Sequence, residues 1–169
     1  ASHLVARPTK VSEDGFIDGV AHRADLPPVY QRYVKVADAE AADVEAEDQD
    51  ALWKPLFVTA YGAADFLDDN DLFGAETLVL TSASSKTAMS IAHCIRLFDE
   101  NVEVIGLTSP RNLEFTKGSG YYDRVLPYNS LSDIGNGPIT LVDVAGDATL
   151  LDRLAEHAGD NLMKLIVLG

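Results

Sequence analysis

The chain has 169 residues, 47% of them hydrophobic, with 13 Lys and Arg against 27 Asp and Glu for a formal net charge of −14. That supports one good-sized domain, or a domain with an appended segment. An acidic excess with no basic stripe excludes non-specific binding to nucleic acid or to an anionic membrane.

No apolar run is long enough to span a bilayer, and residues 1–10 lack the apolar centre of a secretory signal. The single cysteine, Cys94, permits no intrachain disulfide. The expected compartment is a reducing cytoplasm, and the acidity reads as solubility rather than as a role for a partner.

In residues 1–37, Phe16, Ile17, Val20, Val29, Tyr30, Tyr33, Val34 and Val36 suggest short β segments, with Pro27-Pro28 forcing an extended turn between them. These pieces form neither a repeat nor a closed sheet alone, and read as the tail of a preceding domain or an edge packed on the next one. Residues 38–50, DAEAADVEAEDQD, have the composition of a solvated linker or an exposed helix start. Pro55 suits the first turn of a helix. Leu56, Ala60, Ala63 and Leu67 then fall on one face, and the helix is expected to end in Asp68-Asp69-Asn70.

From residue 77 the pattern alternates. Strands are expected over 77–83, 102–108, 124–128, 139–144 and 163–168, and helices over 86–98, 110–118 and 148–158. Runs such as LVL, VEVIGL, ITLVDV and LIVL are apolar on both faces, which marks a parallel sheet covered by helices on both sides. Ala88, Ile91, Ala92, Ile95 and Phe98 have the spacing of one buried helix face. The expected fold is α/β: a Rossmann-like doubly wound parallel sheet in residues 51–169, preceded by a short β extension and acidic linker in residues 1–50. Five strands are visible, so the closing strand or strands are expected beyond Gly169.

The turn after the first of these strands is the candidate binding site. Strand, small-residue turn and helix N-terminus in that order form a site for phosphates, because free N–H groups and the helix dipole point at the turn. Ser82-Ala83-Ser84-Ser85-Lys86-Thr87 occupies it. Aligned to G-x-G-x-x-G/A, residues 83–88 carry small side chains in place of glycines. Each Cβ holds a ligand further from the backbone, and hydroxyls offset this by donating to phosphate oxygens. A P-loop would need glycines where Leu80 and Ser85 stand. Lys86 in the first turn opposes the macrodipole by about 0.3–1 kcal/mol unless a bound anion reverses the sign. At the end of the second strand, where NAD-preferring sites place a carboxylate, the chain has Gly106-Leu107-Thr108-Ser109-Pro110-Arg111-Asn112. Thr108, Ser109, Arg111 and Asn112 are donors suited to a 2′-phosphate, which points to NADP(H).

Taken together and in order, SASSKTA, GLTSPRN, GYYDRVLPY and VDVAG resemble the quinone-oxidoreductase-like branch of the medium-chain dehydrogenase/reductase superfamily, over roughly residues 20–169. The resemblance implies a helix, KPLFVTAYGAADFL, whose Thr59 and Tyr61 approach the nicotinamide, with Tyr61 as a candidate proton donor. It implies Tyr128 near the adenosine, and Asp143, Val144, Ala145 and Gly146 under the nicotinamide ribose. It makes residues 1–37 the trailing end of a GroES-like catalytic domain, and the chain a cofactor-binding fragment of a longer reductase. A homodimer through the edge strand of the cofactor domain is implied as well, at an edge beyond Gly169.

Zinc enzymes occur in that superfamily, but one Cys and four scattered His (His3, His22, His93, His157) supply neither a catalytic nor a structural zinc set. No metal is expected. The function expected is an NADP(H)-dependent, zinc-independent hydride transfer to a small quinone, enone or carbonyl compound. The alternative is a non-catalytic nucleotide sensor or scaffold. A methyltransferase using S-adenosylmethionine shares the strand–turn–helix opening, but the acidic ribose residue it needs at the end of the second strand is missing.

Overall fold

The computed structural model describes residues 5–35 and 44–168. His3, Val36, residues 38–43 of the acidic run and Gly169 lie outside the described residues. Two compact units are distinguished, Ala1–Gln49 and Asp50–Gly169. No helix among the described residues is long and apolar enough to cross a membrane.

In the first unit, β1 (Pro8–Ser12), β2 (Gly15–Asp18) and β3 (Arg32–Val34) form an antiparallel three-stranded sheet in the order β1-β2-β3. The expected short β segments thus pair as an open meander rather than a closed sheet. The meander is held by polar contacts that hydropathy does not show. The Asp18 carboxylate accepts from the N–H groups of Arg7 at 2.9 Å and Val20 at 3.1 Å and pairs with Arg23 at 3.4 Å. The Arg7 N–H, followed by the Val20 N–H and the Arg23 charge, holds that carboxyl below its ordinary pKa against the opposing effect of burial. The Phe16 and Tyr33 rings stack at 4.9 Å. Val29 and Tyr30 fall in a 3-10 turn, Pro28–Tyr30, rather than in a strand.

The second unit is a Rossmann-like α/β fold. Its sheet comprises β4 (Thr77–Leu80), β5 (Glu103–Thr108), β6 (Arg124–Pro127), β7 (Ile139–Asp143) and β8 (Leu162–Val167). All pairings are parallel, in the order β6-β5-β4-β7-β8. Four helices are described: α1 (Val44–Asp69), α2 (Lys86–Phe98), α3 (Leu113–Gly118) and α4 (Ala148–Ala158).

Alternate strand residues face opposite sides. Leu78, Leu80, Val104 and Val142 meet Ala60, Ala64 and Leu67 of α1 and Ala88, Ile91, Ala92 and Ile95 of α2. Val79, Ile105, Leu107 and Leu141 meet Leu150 and Leu154 of α4 with Leu131 and Ile134. The sheet is thus covered on both faces, as its continuous apolar strands require.

Helix α1 departs from expectation. Pro55 lies inside a 26-residue helix rather than in its first turn. Residues 44–54 are mostly Glu, Ala, Asp, Gln and Leu, and carry the helix upstream past a proline that disfavours it by about 3 kcal/mol. Ala60, Ala64 and Leu67 are its buried residues, while Leu56 and Ala63 are half-buried. Strand β4 stops at Leu80, short of the expected 83, because Ser82 leaves the extended region with φ 50.

Candidate functional site

Three junctions meet at the carboxyl ends of the central strands: 80–86 after β4, 108–113 after β5 and 143–148 after β7. Because β5 and β7 flank β4, the strand order reverses here, the point of an open α/β sheet at which a ligand crevice is expected.

The turn after β4 has no glycine, yet it makes a glycine-like bend. Ser82 takes φ 50, a left-handed conformation that disfavours a residue with a Cβ by about 1–2 kcal/mol. Backbone bonds fix it: the Ser85 N–H donates to Ser82 O at 2.7 Å and the Ala83 N–H to Leu107 O at 2.9 Å. Ser85 caps α2, its hydroxyl accepting the Ala88 N–H at 3.2 Å. The first-turn N–H groups of Lys86 and Thr87 have no acceptor among the described residues, so the positive end of the dipole faces the turn.

Side chains from residues 112–128 brace the turn from outside. The Ser82 N–H donates to Tyr128 Oη at 3.0 Å, Tyr122 Oη donates to Ala83 O at 2.8 Å, and Asn112 Nδ2 donates to Ser84 Oγ at 2.9 Å. Burial pushes the Tyr122 phenol far above the ordinary tyrosine value, so it remains a donor. Gly106 makes room for this packing: a Cβ there would lie 2.8 Å from Ala83 Cβ and 2.9 Å from Tyr122 Cδ1.

At the end of β5, Thr108 is 1% exposed. Its hydroxyl and that of the adjacent Ser109 are buried with no hydrogen-bond partner among the described residues. Leaving a buried hydroxyl unpaired costs about 1–3 kcal/mol; as neighbours on an extended stretch the two side chains point to opposite sides. Arg111 is exposed in the 3-10 turn Pro110–Asn112.

Some expected residues play other parts. Asp143 is fully buried. Its carboxylate accepts the Thr81 hydroxyl at 2.5 Å and the N–H groups of Ala145 and Gly146, each at 3.1 Å. Thr81 Oγ1 in turn accepts the N–H groups of Val144 at 2.8 Å and Ala145 at 3.1 Å. Asp143 therefore shapes the loop that was expected to lie under the nicotinamide ribose, its carboxylate being taken up within that loop.

Thr59 and Tyr61 are not brought to the turn. The Thr59 hydroxyl donates to Pro55 O at 3.1 Å within its own helix. The Tyr61 ring packs edge-on against Phe98, 5.6 Å between centroids. Phe98 ends the 13-residue α2, about 18 Å from its start at the turn. That packing sets Tyr61, expected near the nicotinamide, beside the end of α2 remote from the turn. Lys86 is exposed, and its ammonium lies 5.9 Å from the centroid of the Trp53 ring, a cation–π contact.

Thr81, Gly106 and Tyr122 belong to the site but were not read from the sequence as site residues. Only Gly106 carried a signal, a lone glycine inside an apolar strand, which marks a close approach. An apolar groove of about 370 Å³ runs beside α2, lined by Trp53, Phe57, Met89, Ser90, His93 and Tyr121. Among the described residues no group of three His, Cys, Asp or Glu is placed to hold a metal.

Two solved structures are similar in part. The thermostable alcohol dehydrogenase of Pyrobaculum aerophilum, solved with cobalt and zinc, is 16% identical over 57% of this chain and 27% of its own, with a TM-score of 0.43. The quinone oxidoreductase of Coxiella burnetii is 16% identical over 57% of this chain and 36% of its own, with a TM-score of 0.34. The chain thus spans about a third of their length or less. No curated protein matches the sequence. The model of a family of proteins of unknown function, DUF2855, matches residues 1–169, and the chain belongs to that family.

Proposed function

We propose that residues 51–169 bind NADP(H) in the crevice between β4, β5 and β7, as the cofactor-binding part of a zinc-independent oxidoreductase. The observation that carries this reading is the N-terminus of α2 with open N–H groups at a turn where the strand order reverses, supported by the unpartnered Thr108 hydroxyl at the end of the neighbouring strand. In this reading α2 and its turn hold the pyrophosphate. Thr108, Ser109 and Asn112 hold the adenosine ribose, and the exposed Arg111 guanidinium takes the 2′-phosphate. When bound, the nicotinamide supplies the hydride for a quinone, enone or carbonyl compound, and the chain's own residues position it. The meander of residues 5–35 belongs, on the same reading, to a GroES-like catalytic part.

The test is a titration with both dinucleotides. NADPH should bind at least about tenfold more tightly than NADH, the value of one charge-assisted contact, and Arg111→Glu should narrow the gap. Equal affinities that Arg111→Glu leaves unchanged would sink the NADP assignment. A second reading, a nucleotide sensor without chemistry, is favoured by the packing of Tyr61 at the far end of α2. Hydride transfer from NADPH to a quinone by the full-length protein would exclude it.

A further inference from the structure

A glycine-rich phosphate turn works by presenting bare backbone N–H groups to the pyrophosphate. The turn after β4 differs at its head. The Ser82 N–H is taken by Tyr128 Oη at 3.0 Å, and small side chains stand at 83 and 85 where the motif has glycines. The phenol accepts this bond, and its own proton has no acceptor among the described residues.

The placement of Tyr128 does not depend on that phenol. Its N–H donates to Thr108 O at 3.0 Å and Arg153 Nη2 donates to its carbonyl at 3.0 Å. Its ring packs against the cluster around Ile105, Leu107 and Leu141. Burial raises the phenol pKa above its ordinary value, the Ser82 N–H lowers it, and the charges of Asp143 and Asp147 add to the rise. The hydroxyl lies against the Ser82 N–H at the head of the turn, and as a neutral phenol it remains a donor at neutral pH.

We propose that Tyr128 is the pyrophosphate-binding residue of this glycine-free turn, relaying the polarity of the Ser82 N–H through its hydroxyl to a phosphate oxygen. This rests on the reading of the crevice as a dinucleotide site. The relay suits the geometry: a donor that already accepts a hydrogen bond is polarised and binds an anion more strongly. The assignment differs from one in which Tyr128 touches the adenosine 2′-phosphate, and the two separate experimentally.

The test is Tyr128→Phe, which keeps the ring in place. NADPH and NADH should both weaken by the same factor, about tenfold, with their affinity ratio unchanged and the Ser82 amide resonance shifted. A loss confined to NADPH, or no loss with either, overturns the proposal. In the wild-type chain carrying 13C-labelled tyrosine, the Tyr128 Cζ resonance should move with NADH and NADPH alike and stay fixed with adenosine 2′-monophosphate. The reverse pattern overturns the proposal even if the variant fails to fold. Failure of the wild-type chain to bind either dinucleotide overturns the dinucleotide reading itself, and the proposal with it.

Discussion

Gly106 sits where β5 passes closest to the turn, and its missing side chain lets Ala83 and Tyr122 meet. Gly106→Ala would set a Cβ 2.8 Å from the Ala83 side chain, an overpacking that destabilises by about 1–3 kcal/mol. The unfolding midpoint should fall by about 2–10 °C, with weaker dinucleotide binding in the fraction that stays folded. An unchanged midpoint would mean that the turn is not packed against β5 as described. At this scale the sequence is only partly legible. Tyr121 and Tyr122 are equivalent letters, yet Tyr121 is 40% exposed beside His93 while Tyr122 turns inward to the Ala83 carbonyl. Which of two adjacent tyrosines reaches the turn depends on how β6 lies against β5, a long-range pairing that local pattern does not encode.

Elements whose ends are set by local chemistry read well. Helix α2 runs from Lys86 to Phe98 as its apolar spacing predicts, because Ser85 caps it and Asp99 is extended. The expected 148–158 helix is α4, capped by Asp147 and ended by Gly159 at φ 52. Elements held by long-range contacts read poorly. Strand β1, PTKVS, is exposed throughout and offers no hydropathy signal, and α1 begins well before the proline that was expected to open it.

The loops after β4 and β7 are joined by one hydroxyl, that of Thr81, which serves Asp143, Val144 and Ala145 together. Thr81→Val keeps the shape and leaves a buried carboxylate and two N–H groups short of a partner. We expect a loss of about 1–3 kcal/mol in unfolding free energy, together with faster amide exchange in residues 143–146. A variant as stable as the wild type would show that the loop is held by other means.

At the scale of the molecule, the doubly wound sheet was legible because parallel strands buried on both faces must be apolar throughout. The reversal of strand order at β4 is seen only in the structure, since the same alternation of strand and helix also builds closed barrels without one. The side-chain braces on the turn, and the uptake of the Asp143 carboxylate within its own loop, arise only when three strands come side by side. The central claim is that this crevice holds a dinucleotide. Hydrogen exchange of the chain with and without NADPH tests it most directly. The account predicts slowed exchange at 82–88 and 108–112, with the meander of residues 5–35 unchanged. Protection that spares the turn, or that appears instead along the groove lined by Trp53, Phe57 and Met89, would contradict it.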